Sequence, residues 1–352
     1  MSSTKIQWTN RTWNPTRGCS RVSPGCEHCY AERQAARFAG AGKLIGNGVA
    51  PQLQSKPGPY HGLVRRGKQG ARWTGKVVLV PEKLSEPLRW RKPCRVFVNS
   101  MSDLFHESLS NEEIAAVFGI MAACPQHTFQ ILTKRSKRMR EWFAWIEGRR
   151  AKQGDNCAAV ECLMHAQHAD SKVPCIASKS LSWPLPNVWL GVSAENQQRA
   201  DERIPDLLAT PAAVRWVSAE PLLGSITFDA DWMLPRCKAC GRHSARGQCC
   251  EYEPDCTGGT VHSSQQQTAL LDWIVCGGES GPGARRCNVE WIRSVVRQCE
   301  AANVPVFVKQ LGAVFAQSQR GDAHDSRDRK GSDPSEWPID IRVRNYPEKR
   351  AA

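Results

Sequence analysis

Three cysteines in the run WNPTRGCSRVSPGCEHCY, residues 13–30, have the type and spacing to hold a soft metal centre. Cys19, Cys26 and Cys29 form a Cys-x6-Cys-x2-Cys array, and Pro15, Gly18, Pro24 and Gly25 interrupt the segment that carries them. Proline blocks helix and ladder hydrogen bonds and glycine lets the backbone curl, so this segment should be a loop turning three thiolates toward one point. A structural zinc site wants four protein ligands, whereas a [4Fe–4S] cluster on three cysteines leaves one iron open to a substrate or cofactor. No fourth Cys or His follows Cys29 at ligand spacing, apart from His28 inside the array. That favours the open cluster over a zinc knuckle with a distant fourth ligand, or buried thiols without metal.

Further cysteines fall into two groups. Cys237-x2-Cys240 with Cys249, Cys250 and Cys256 has the composition of a zinc ribbon, in which four thiolates close a tetrahedral structural zinc site. Cys157, Cys162, His165, His168 and Cys175 are more loosely spaced and offer a second zinc site or a loop with incidental thiols. Cys94, Cys124, Cys276, Cys287 and Cys299 sit in or beside expected strands and helices and read as buried fillers. The start, MSSTKIQWTN, lacks the apolar stretch of a signal peptide, and no run of about 18 apolar residues is present. A cytoplasmic, non-membrane protein is expected, in which sixteen cysteines stay reduced and favour metal over disulfides.

The elements that must position the cysteine loop are short aliphatic and β-branched runs alternating with amphipathic patterns. Strands are expected at residues 5–8, 77–80, 95–99, 128–132, 188–192, 215–217, 273–276 and 306–309, with a capping box at Ser110 and Glu113. Strand alternating with helix implies parallel βαβ units, and eight of them fit an α/β (β/α)8 or partial TIM-type barrel better than an open doubly wound sheet. The expected barrel covers residues 1–316, with cysteine-rich inserts at 148–184 and 235–266, the latter zinc-ribbon-like; a charged linker and terminal arm fill 317–352. Residues 40–72, rich in Gly, Pro and Arg, read as a long irregular connection. Trp189, Trp216 and Trp273 read as core, while Trp8 and Trp13 flank the cysteine loop.

Ligands bind at the carboxyl ends of such strands, and those ends are polar here. Asn99, Ser100 and Asp103 follow one strand, Lys134 the next, then Ser193, Glu195 and Asn196, then Glu220, then Gly277, Gly278 and Glu279, and finally Lys309. Each residue alone could be a helix cap or rim salt bridge; together they outline a polar cofactor cradle around the cluster. The formal charge of +14 predicts attraction to polyanions. Basic residues concentrate at Lys134, Arg135, Lys137, Arg138, Arg140, Arg149, Arg150 and Lys152, and again at Arg65, Arg66, Lys68, Arg72 and Lys76.

The words WNPTRGC, SPGCEHCYA, LPNVWLGVSAEN, RWVSAEPLLG, DWIVCGGESGPGARRC and VFVKQLG resemble the phage-associated three-cysteine-motif family, which is regarded as radical-SAM-like. The resemblance implies a full or partial barrel, a [4Fe–4S] cluster on Cys19, Cys26 and Cys29, and S-adenosyl-L-methionine as cofactor. It also implies a companion protein. The array has three more residues between its first two cysteines than the commonest radical-SAM spacing. Gly277-Gly278-Glu279 looks like the word that approaches the methionyl ammonium in such enzymes, although here it follows the penultimate expected strand. The resulting expectation is a radical-SAM-type enzyme, served by an electron donor, that modifies or repairs a nucleic acid or nucleotide. Two other classes compete: a zinc-containing nucleic-acid-binding protein without catalysis, and a non-radical SAM-dependent transferase.

Overall fold

Aliphatic runs that are apolar on both faces become parallel strands buried on both faces, and the chain is built on seven of them. The computed structural model describes residues 4–40, 44–45, 52–53, 57–68, 70–153, 158–176, 181–234, 270–319 and 328–347. The chain divides into two compact units, Met1–Arg138 with Ala144–Asn187, and Met139–Phe143 with Val188–Ala352.

In the first unit, β1 (Arg11–Trp13), β2 (Arg95–Val98) and β3 (Thr128–Thr133) lie parallel in that spatial order, with Trp13 opposite Val98 and Val98 opposite Ile131. Trp13 is fully buried and donates its indole N–H to the Lys83 carbonyl at 2.8 Å. Helix α1 (Tyr30–Arg37) follows the cysteine loop directly. Helix α2 (Asn111–Ala122) opens with the expected capping box, Ser110 accepting from the Glu113 N–H at 3.1 Å while Glu113 accepts from the Ser110 N–H at 2.8 Å. Helix α3 (Ser136–Gln153) follows β3. Helix α4 (Ala158–Ala169) packs against α2 so closely that a Cβ on Gly119 would lie 2.2 Å from the Cys162 carbonyl oxygen.

The second unit repeats the pattern. Strands β4 (Val188–Ser193), β5 (Val214–Ala219), β6 (Trp273–Gly277) and β7 (Val306–Gln310) are parallel and adjacent in chain order. Helices α5 (Gln197–Leu208) and α6 (Val289–Ala301) are capped by Asn196 and Asn288. The terminal arm adds to the free edge of β7 through Val308 N–H to Val343 and Asn345 N–H to Val306, and its Trp337 and Ile341 are buried.

Three expectations are corrected. Residues 5–8 form a turn in place of a strand, because the Thr4 hydroxyl accepts from the Ile6 N–H and the chain is first caught by β2 at Asn10, whose side chain accepts from the Arg95 N–H at 2.9 Å. The strand within 77–80 shrinks to Val78–Leu79 and pairs antiparallel with Thr16–Arg17, outside the parallel set. The described residues therefore hold seven parallel strands, not the eight of a complete barrel. Part of the connection read as irregular is an antiparallel hairpin, Val64–Gly67 with Gly70–Trp73, turned at Gly70 with φ +94°. The zinc-ribbon cysteines Cys237, Cys240, Cys249, Cys250 and Cys256 lie outside the described residues.

Gly18, immediately before the first cysteine, has φ +93°, and a Cβ there would lie 2.0 Å from the Lys76 carbonyl oxygen. The left-handed backbone and the contact with main chain both exclude larger residues. Gly18→Ala is expected to destabilise the protein by about 2–5 kcal/mol, read as a lower midpoint in urea. Ser110→Ala, which removes only a helix cap, should cost about 1 kcal/mol in the same assay.

Candidate metal centre

The cysteine loop is shaped by three local devices. Pro24 to Cys26 makes a single 3-10 turn, closed by Cys26 N–H to Ser23 and Glu27 N–H to Pro24. Cys29 is the N-cap of α1 without a side-chain cap hydrogen bond, and the backbone N–H groups of Ala31 and Glu32 lower the pKa of its thiol. Glu32, almost fully buried on α1, receives the Arg21 guanidinium at 2.5 and 3.1 Å and the Trp73 N–H at 3.0 Å, so the loop, the helix and the hairpin share one carboxylate. Beneath them Cys19 and Cys29 pack on a cluster of Ala31, Ala35, Tyr60, Leu63, Trp73 and Met101.

The three thiols lie within electrostatic reach of one another. Ionisation of Cys26 or Cys29 raises the pKa of Cys19, and ionisation of Cys26 raises that of Cys29. Burial, then the Asp103 charge, pushes Cys19 up to about 12, against a lowering by Arg135. Burial also raises Cys29, opposed by the two helix N–H groups. Without metal the Cys19 and Cys29 thiols hold their protons at neutral pH, and a bound cation would displace them. Among the described residues, no three His, Cys, Asp or Glu side chains gather as ligands of a single metal ion. A cubane spaces its thiolates more widely than a single ion does, and a loop with three mutually sensing sulfurs fits that larger group.

Asp103, 6% exposed, stands beside the loop at the end of β2. Its Oδ1 accepts from the Thr133 hydroxyl at 2.7 Å and the Phe105 N–H at 3.1 Å, and its Oδ2 from the Lys134 N–H and Arg135 Nη1, each at 3.1 Å. Of the expected cradle in this unit, Asp103 and the Lys134 backbone therefore meet, while Ser100 donates to Asn14 at 3.2 Å. Asn99 has φ +58°, is 3% exposed, and neither polar atom of its carboxamide has a partner among the described residues. Gln130 in β3 is likewise fully buried with its amide unpartnered.

The second unit holds the remaining expected residues. Glu195 is fully buried and paired with Arg203 at 2.9 Å, and the same nitrogen donates to the Ser193 carbonyl at 2.8 Å. Asn196 accepts from the Arg199 N–H as a helix cap. Glu279 is gripped by Arg285 through its backbone N–H, Nε and Nη2 at 2.7 to 2.9 Å. A Cβ on Gly277 would lie 2.9 Å from Glu220 Oε1, and one on Gly278 would lie 2.3 Å from the Leu311 carbonyl oxygen, so these glycines make room for the chain's own atoms. Lys309 Nζ lies 3.1 Å from Glu220, a largely buried pair at the ends of β5 and β7. In the looser insert, Cys162 is buried against α2, His165 lies 3.4 Å from Glu161, and Cys175 is exposed; Cys157 lies outside the described residues. Cys124, Cys276, Cys287 and Cys299 are buried, as fillers should be, and Cys94 is partly so.

A family described as a protein of unknown function, DUF5131, matches residues 3–338. The chain belongs to that family. No curated protein and no solved structure matches it.

In this DUF5131 protein the residues that sequence reasoning missed are Arg135, Glu107, Ser20 and His106. Arg135 stood in a run read as a basic surface, yet it is 6% exposed and faces the cysteine loop. His106, 4% exposed, bonds Ser20 Oγ through Nε2 at 2.8 Å, while its Nδ1 accepts from the Ser108 N–H at 3.1 Å. That pattern fixes the neutral ring with its proton on Nε2, donating to Ser20. A second missed signal was visible in the sequence: residues 33–81 contain nine Lys or Arg and no Asp or Glu. This acid-free stretch includes the hairpin that packs on α1, and exposed Tyr30 and Phe38 flank the helix.

Burial first, and then the Arg135 charge, holds His106 below the ordinary imidazole value; burial does the same to His127. As pH falls through the ordinary histidine range, the unfolded chain takes up these protons before the folded chain does. Stability is therefore present above that range and lost on acidification. The melting temperature should drop between about pH 7 and pH 5.5, and the double variant His106→Gln, His127→Gln should show a smaller drop.

Proposed function

We propose that this protein is a [4Fe–4S] enzyme of radical-SAM type that modifies or repairs a nucleic acid or nucleotide. The observation that carries the reading is the placement of Cys19, Cys26 and Cys29 in one loop within electrostatic reach of one another, with no fourth protein ligand required. Parallel βαβ units that put this loop directly after β1 support the partial-barrel architecture implied by the resemblance.

When bound, the cluster supplies the open iron and the electron for reductive cleavage of S-adenosyl-L-methionine to a hydrogen-abstracting radical. The chain's own residues hold the group and set its surroundings. Two helix N–H groups offset negative charge at Cys29, and the Tyr60, Leu63 and Trp73 cluster keeps water from the loop's inner face. The unpartnered carboxamide of Asn99, forced inward by a left-handed backbone, is the first candidate to hydrogen-bond the cofactor. The basic hairpin packed on α1 favours a polyanionic substrate, and exposed Tyr30 and Phe38 offer faces on which bases stack. A reductant and a companion protein belong to the same proposal.

Anaerobic reconstitution tests it. Wild-type protein should take up iron and sulfide in equal amounts, ~4 of each per chain, and its reduced EPR signal should change on adding S-adenosyl-L-methionine. Cys26→Ala should lose the signal and keep its fold by circular dichroism. Zinc in the loop without iron would overturn the iron-sulfur reading and favour the zinc-containing binder, and a signal indifferent to the cofactor would remove it from the mechanism.

A further inference from the structure

The Arg135 guanidinium carries five N–H groups, and each has an acceptor. Nε donates to Glu107 at 3.0 Å, one Nη1 proton goes to Asp103 at 3.1 Å, and Nη2 donates to the Ser20 carbonyl at 3.2 Å and the Ser20 hydroxyl at 2.8 Å. The other Nη1 proton is directed at Cys19 Sγ, 3.9 Å away. Asp103 is itself locked by Thr133, Phe105 and Lys134, so the fork cannot turn from the sulfur without breaking a buried carboxylate's contacts. The Ser20 hydroxyl is held in turn by His106.

We propose that Arg135 is the positioning residue of the metal centre: it aims one N–H at the Cys19 sulfur and raises the reduction potential of the cluster held there. The inference rests on the iron-sulfur reading. Two physical effects act in the same direction. A hydrogen bond to a ligating sulfur withdraws negative charge from the cluster, and a fixed cation in a water-poor site stabilises the more negative, reduced state. Asp103 and Glu107 keep the guanidinium in place and moderate its charge; Glu107 is largely solvent-exposed and therefore screened, so the buried partner is Asp103. The arrangement also explains why a basic residue is buried directly after β3, where a solvated helix face was expected.

The test is the midpoint potential of reconstituted, full-length protein, followed by EPR in a redox titration. Arg135→Gln removes the charge and the fork and should lower the potential by the equivalent of about tenfold in the reduced-to-oxidised ratio, ~59 mV for one electron. Arg135→Lys keeps the charge but not the fork, and should load cluster and shift the potential by less. Arg138→Gln is the control: among the described residues Arg138 donates to the Leu109 carbonyl and to Asn111 and not to the loop, so its potential should equal wild type. If Arg135→Gln fails to load, the lysine variant carries the readout. A loaded Arg135 variant at the wild-type potential, or an equal shift in Arg138→Gln, overturns this inference alone. Absence of iron and sulfide from wild type overturns the iron-sulfur reading and this inference with it.

Discussion

The buried pairing of Asp103 with Arg135 is the constraint on which the candidate site depends. Each is only 6% exposed, and Asp103 receives four hydrogen bonds that join the end of β2 to the end of β3. Arg135 then carries the connection across 115 residues of sequence to Ser20 and Cys19. A buried ion pair is close to energetic break-even against an apolar replacement, but removing one partner leaves an uncompensated charge and costs about 3–5 kcal/mol. Its value here is therefore geometric. It fixes a loop that has almost no ladder hydrogen bonds of its own.

The loop's other anchors follow the same logic of shared polar groups in place of regular structure. Glu32 gathers Arg21, Trp73 and, at 3.8 Å, Arg72, which ties the loop and the hairpin to one helix. Gly18 lets the chain pass against the Lys76 carbonyl, and the Thr16 hydroxyl donates to Ser102 at 2.9 Å. With the loop closed in this way, burial raises the pKa of Cys19 and Cys29, opposed by Arg135 at Cys19 and by the helix N–H groups at Cys29. Burial and charge compensation thus arrive together.

Glycine and charge each changed meaning once the chain was folded. Gly277 and Gly278, in a word that looks like a cofactor contact, are required by the approach of Glu220, Gln310 and Leu311. Some of the 48 Lys and Arg are internal, with Arg135 and Arg203 buried in ion pairs. The hairpin packed on α1 carries Arg65, Arg66, Lys68 and Arg72, of which Arg72 lies 3.8 Å from Glu32.

Sequence alone determined the cysteine array, its loop character, the capping box and six of the seven parallel strands to within two or three residues, because each follows from local spacing or from runs that only burial on both faces can satisfy. It missed β1 and took residues 77–80 for a sheet strand, because strand pairing over two or three residues is decided by distant partners such as Arg95 and Thr16. Only the tertiary structure decided which charges are inside. Arg135 and Lys137 look alike in a basic run, but one lies against Asp103 and the other is exposed. That choice depends on contacts 32 residues away at Asp103 and 115 away at Ser20, which no local pattern encodes.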